Sequence, residues 1–169
     1  MARERTNYND QYLGRLEKEL QQFAPWWHID NCSVWGEQGL RKEVNGKHDV
    51  FETRAYYYEV PCRLQSTMTL PKGDNVRLHL VVGRHPAGDW KLTVRVNEQD
   101  VLTTPINKDT TPDLWRVIDV DLTQHAGKEV RLQLCQSALT NFGSGQAYWE
   151  AIKIVSGPAT QPSSQPAAH

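Results

Sequence analysis

Arg84, His85 and Asp89 fall within one short loop, residues 83–89, between two strand-like runs. A tight turn seldom needs three ionisable groups, so this loop carries donors and acceptors beyond its structural needs. Asn141, in the loop 140–145, and the adjacent rings of Tyr56 and Tyr57 are further groups that neither a core nor a turn requires. In a two-sheet fold the loops gather at two ends, so these residues can form a rim of hydrogen-bonding groups beside a stacking surface. That mixture suits a polyhydroxylated ligand, whose apolar C–H faces stack on rings while Asn, Asp, Arg and His satisfy its hydroxyls. The expected ligand-binding set is Tyr56, Tyr57, Arg84, His85, Asp89 and Asn141. A competing reading pairs Arg84 with Asp89 across their own loop. Were Arg84, Asp89 and Tyr57 all dispensable for binding, the site would lie instead on the outward strand positions Lys91, Thr93, Arg95 and Asp119.

Six Trp and six Tyr are present, and strand parity sorts some of them. Trp90 and Tyr148 take inward positions, whereas Trp149 and Tyr57 point outward and are the better ligand candidates. Catalysis finds less support. His79, His85 or His125 could serve as base with Tyr57 or Glu59 as acid, but no spacing singles them out. Asp119 and Asp121 lie two apart on one strand, the pattern of a solvated face rather than of two carboxylates flanking a bond. A serine nucleophile elbow, a glycine phosphate loop and a His-x-x-x-His pair are absent from the sequence. The chain is read as non-catalytic.

The 19 basic and 20 acidic residues give a net charge of -1, which argues against nucleic acid as a partner. No apolar run approaches the ~20 residues of a membrane span. The N-terminus lacks the apolar core of a signal peptide. Cys32, Cys62 and Cys135 are an odd set without closely spaced pairs, which argues against a zinc ribbon or redox motif. They read as one disulfide and one free thiol if the parent protein is exported, and as three scattered semi-apolar residues if it is not.

Positioning these groups falls mainly to β-structure. Residues 115–122 place Ile118, Val120 and Leu122 on one side and Asp119 and Asp121 on the other, the period of a half-buried strand. Val130, Leu132 and Leu134 repeat the pattern after a glycine turn, and 148–154 follows with Tyr148, Ile152 and Ile154 as its core side. Earlier runs at 55–60, 64–70, 76–82 and 90–96 alternate likewise, and 97–100 reads as a hairpin turn. One helix is expected over 7–24, where Leu13, Leu16, Leu20 and Phe23 form a stripe, Asn9 and Asp10 offer caps and Pro25 closes the segment. Residues 25–52 read as largely irregular, with short strands around 27–29 and 50–53. The organisation is a helix or connector at 1–24, a sandwich at 25–156 and a disordered Pro/Ser linker at 157–169. The fold class is all-β: an antiparallel β-sandwich with one N-terminal α-helix.

Three patterns together carry a resemblance: a Gly73-Asp74-Asn75 turn into a Leu-rich strand, residues 115–122 followed by His125-Ala126-Gly127-Lys128 and a Val-Leu-Leu strand, and a last strand opening on Tyr148-Trp149-Glu150. Over residues 55–156 the chain resembles the galactose-binding-like jelly rolls, including carbohydrate-binding modules attached to bacterial multidomain surface proteins. The resemblance implies a polysaccharide ligand, flanking domains and an extracellular or periplasmic setting. It also implies a structural calcium, with Glu150 where a carboxylate ligand lies in such modules. The alternative is a protein-interaction or spacer module in which the helix and the Trp26-Trp27 pair dock on a neighbouring domain.

Overall fold

A computed structural model describes residues 2–55, 60–140 and 142–157. Among the described residues one α-helix, α1 (Ala2–Phe23), is followed by β1 (His28–Asn31), β2 (Gly39–Val44), β3 (Lys47–Arg54), β4 (Cys62–Thr69) and β5 (Arg77–Arg84). Then come β6 (Trp90–Val96), β7 (Gln99–Ile106), β8 (Trp115–Asp121), β9 (Glu129–Ala138) and β10 (Gln146–Val155). They form two five-stranded sheets in the orders β1-β4-β9-β6-β7 and β2-β3-β10-β5-β8. Neighbours pair antiparallel throughout. The expected all-β sandwich with one N-terminal helix is therefore the fold.

The helix starts at Ala2, so Asn9 and Asp10 lie inside it rather than capping it. Leu16 and Leu20 are fully buried and share the core with Trp90, Leu92, Val94 and Trp149. The helix thus closes one flank of the sandwich, where it meets β1, β2 and β3. Cys32 and Cys62 are disulfide-bonded with Cα atoms 4.2 Å apart, pinning the end of β1 to the start of β4. Cys135 is a buried free thiol, so the reading of three separate cysteines is set aside.

Two backbone irregularities shape the rest. In β10, Trp149 pairs with Val82 and Ala151 with Val81, so Glu150 is an inserted bulge residue. A bulge reverses strand parity. Before it Trp149 faces inward, packed on Trp90 with ring centroids 5.4 Å apart; after it Ile152 and Ile154 do. Outward-facing Trp149 is thereby corrected: it is fully buried, while Tyr148, on the other side of the strand, is buried as expected but against Trp115 (ring centroids 6.3 Å). In β3, Asp49 has a φ of 56°, a left-handed conformation that Asp tolerates and that bends the strand. There β3 turns away, and its hairpin with β2 leans over the outer face of the β10-side sheet. The Asn45-Gly46 turn at the tip has both residues at positive φ. Asn45 Nδ2 donates to the Arg84 carbonyl (3.1 Å), and Trp115 Nε1 donates to the Asn45 carbonyl (3.1 Å).

Candidate functional site

The two loops expected to converge do so. Thr140 donates its backbone N–H (3.1 Å) and Oγ1 (2.5 Å) to the Asp89 carboxylate. A Cβ on Gly88 would sit 1.7 Å from the Ser144 carbonyl oxygen, so only glycine lets the loops approach this closely. Beneath them Gln136, fully buried, donates to the carbonyls of Gly145 (2.7 Å) and Thr53 (3.1 Å) and accepts from Thr53 Oγ1 (2.6 Å). Thr53 Oγ1 in turn accepts from Trp149 Nε1 (2.9 Å), so one polar network ties both sheets to loop 140–145.

This convergence defines the part each expected residue plays. Arg84 is buried; its Nε donates to the Thr111 carbonyl (2.9 Å) and an Nη to the Pro86 carbonyl (3.1 Å). Asp89 is engaged with Thr140. Both therefore hold scaffold, and neither pairs with the other in the ion pairs among the described residues. His85 Nδ1 accepts from the Ala87 N–H of its own loop (3.1 Å). Tyr56, Tyr57 and Asn141 lie outside the described residues. The fallback set does not share a face, because Lys91, Thr93 and Arg95 stand on β6 and Asp119 on β8 of the opposite sheet.

A cluster that the sequence reading passed over lies at the same end. The Arg54 guanidinium sits 5.1 Å from the centroid of Trp35, whose surface is 37% exposed. Arg54 Nε is 3.4 Å from the Glu52 carboxylate, and Arg41 reaches Glu52 at 3.7 Å and Glu37 at 2.8 Å. Gln146, with its amide oriented to satisfy both neighbours, accepts from Arg54 (2.9 Å) and donates to the Ser144 carbonyl (3.0 Å). Burial pushes the Glu52 carboxyl above its ordinary range, against the pull of Arg54 and then Arg41. Tyr148, across the ladder from Glu52, is pushed up to about 12 by burial and then by the Glu52 charge. The loop carrying Trp35 is held by buried Gln38, which donates to the carbonyls of Ser33 (2.9 Å) and Trp35 (3.3 Å) and accepts from the Arg54 N–H (2.8 Å). The result is an aromatic plate over a guanidinium, with carboxylate and amide groups behind it. Such a surface can stack on a ring and hydrogen-bond to its hydroxyls.

A second surface is a groove of about 960 Å³ at the C-terminal end of α1, lined by Phe23, Trp26, Met68, Glu150, Ile152 and Ile154 among others. Trp26 is 74% exposed while its neighbour Trp27 is buried. Calcium would ask for about six to eight oxygen ligands. Among the described residues no three His, Cys, Asp or Glu side chains, Glu150 included, form a metal-holding group. Of the histidines considered as bases, His79 is paired with Asp119 on the outer face (2.8 Å).

No protein-family model and no curated protein sequence matches the chain. Solved structures do. The module TmCBM61, determined in complex with β-1,4-galactotriose, is 11% identical, with a TM-score of 0.56 over 86% of this chain and 98% of that one. A family 35 carbohydrate-binding module from an environmental isolate is 14% identical, with a TM-score of 0.50 over 79% and 93%. The fold is that of the carbohydrate-binding jelly rolls. It also occurs inside a larger chain: the secreted serine protease VesC from Vibrio cholerae is 14% identical, with a TM-score of 0.54 over 82% of this chain and 27% of that one. Among the described residues no helix is long and apolar enough to cross a membrane.

Proposed function

We propose that this chain is a non-catalytic carbohydrate-binding module of a larger, exported multidomain protein, and that glycan is held at the loop end of the sandwich. The observation that carries the reading is Trp35, set on Arg54 and backed by Glu52 and Arg41, with Gln146 bridging Arg54 to Ser144 of the loop that meets 85–89. Tyr56 and Tyr57 follow Arg54 by two and three positions in the chain, which favours their part in the same site, with His85 and Asn141 on the neighbouring loops. Arg84 and Asp89 serve it by fixing those loops. The Cys32–Cys62 disulfide favours an oxidising compartment, and hence export.

The test is affinity electrophoresis and calorimetry against soluble β-galactans, β-glucans, xylans and pectins. Trp35→Ala should weaken binding by about 10- to 100-fold, roughly 1.4 to 2.8 kcal/mol, as expected when a central aromatic contact is removed. Binding indifferent to both Trp35→Ala and Arg54→Leu, in variants shown to be folded by circular dichroism, would move the site; no binding across the panel would remove the function. A protein-interaction reading is favoured separately by the exposed Trp26 beside its apolar groove.

A further inference from the structure

The groove under Trp26 is bordered by strand edge that no strand among the described residues pairs. β10 pairs with β5 from Ala147 to Val155, but with β3 only from Gln146 to Trp149. Residues 151–155 thus have a neighbour on one side and, among the described residues, no strand on the other. Across the groove β4 pairs with β9 from Cys62 to Thr69, yet with β1 only at Arg63, Leu64 and Gln65. Two strands from opposite sheets therefore both open toward the same space. This is not fraying at a terminus. The Glu150 bulge and the left-handed Asp49 part β3 from β10, and the departing hairpin is tied down at Asn45. The Trp26 backbone is fixed as well, because its carbonyl accepts from Ser66 Oγ.

We infer that the edge of β10 at residues 151–155 accepts an extended polypeptide segment of a partner as an added strand, with the segment's apolar side chains against Trp26, Phe23 and Met68. An open edge offers backbone N–H and C=O groups in an alternation that another strand matches along its whole length. Five residues of edge span about 17 Å, the length of an ordinary strand. The floor supplies the apolar half of the recognition and the edge the polar half. Lys153, exposed midway along this edge, guards against indiscriminate pairing, as lysines on open edges do. It therefore selects a segment with an acidic side chain opposite.

The test pans a phage-displayed library of random 12-residue peptides on the whole chain and synthesises the recovered sequences. Expected are extended, alternating apolar sequences whose binding falls at least tenfold in Trp26→Ala. They should slow exchange of the amides in 151–155 that face away from β5 at least tenfold, and lose binding on N-methylation at alternate residues only. Several results would overturn the inference. One is a library without Trp26-dependent binders, and another is binders that leave those amides unprotected. Oligosaccharides giving the same protection, Trp26-dependent dimerisation of the chain, or binding that appears only after removal of residues 158–169 would assign the groove to a different occupant.

Discussion

Replacing Gln136 by Leu tests the network that couples the core to the proposed glycan end. Leucine keeps most of the volume but removes three hydrogen bonds: the carbonyls of Gly145 and Thr53 lose their 2.7 and 3.1 Å donors and Thr53 Oγ1 its 2.6 Å acceptor. Each orphaned buried group costs about 1 to 3 kcal/mol. Against this, the substitution removes the cost of desolvating the amide itself, about 1 to 2 kcal/mol on protein scales. The net expectation is roughly 3 kcal/mol, which for a domain of this size lowers the melting temperature by about 6 to 12 °C. Thr53→Val leaves Trp149 Nε1 and Gln136 Oε1 without partners, and the double variant should be less destabilised than the sum by about 1 to 2 kcal/mol, because the two residues share a bond. Thermal and urea unfolding of the four proteins measure the cycle. Glycan affinity should fall in Gln136→Leu as well, since Gly145 belongs to the loop that meets Asp89 through Thr140. A melting temperature within about 2 °C of the parent, or strict additivity with Thr53→Val, would refute the idea that this network joins the sheets.

Glu52 makes stability depend on pH in a direction opposite to most carboxylates. Its folded pKa is raised by burial, so its contribution is fully present below the unfolded value and is lost as pH rises through the folded one. The stability difference between the parent and Glu52→Gln, followed by urea melts, should therefore shift against the parent on going from pH 4 to pH 8. Gly88→Ala should destabilise by ~3 kcal/mol or more, because the new Cβ meets backbone at Ser144 rather than a yielding side chain; an unchanged urea midpoint would contradict the close loop contact. Loss of the Cys32–Cys62 bridge, with a sequence separation of 30, should cost roughly 3 to 4 kcal/mol. In the native protein buried Cys135 should resist thiol reagents and react only on unfolding.

Core strands were legible because their alternation is local: Leu78, Leu80 and Val82, or Val130, Leu132 and Leu134, declare one face without reference to any partner. β2 was not, since at a sheet edge its residues Arg41, Lys42 and Glu43 meet water and blur the period. Even so, the Asn45-Gly46 pair carried the strongest short hairpin signal available and went unread. The disulfide and the Arg54–Glu52 relay were hidden for another reason, as each depends on which strands become neighbours. The candidate loops could be named from their chemistry, but that chemistry did not distinguish Arg84, whose guanidinium serves carbonyls of the scaffold, from Arg54, whose guanidinium carries an exposed ring.

The residue that misled the parity argument also explains where the molecule keeps its open surfaces. Continued alternation through β10 would put Trp149 outside or Ile152 and Ile154 outside, because a one-residue slip exchanges faces. With Glu150 inserted, Trp149 and Ile152 are both buried and Ile154 packs against the core. The same insertion bends β10 at the point where β3 leaves it. The strand therefore serves two ends: upstream of the bulge it carries Gln146 and Tyr148 into the Arg54 and Glu52 cluster, and downstream it bares an edge beneath Trp26. Since the bulge separates the surfaces while the continuous β5 ladder joins them, Trp35→Ala should leave peptide capture at Trp26 intact, and Trp26→Ala should leave glycan binding intact. Loss of both activities in either single variant would mean that one surface, not two, does the binding.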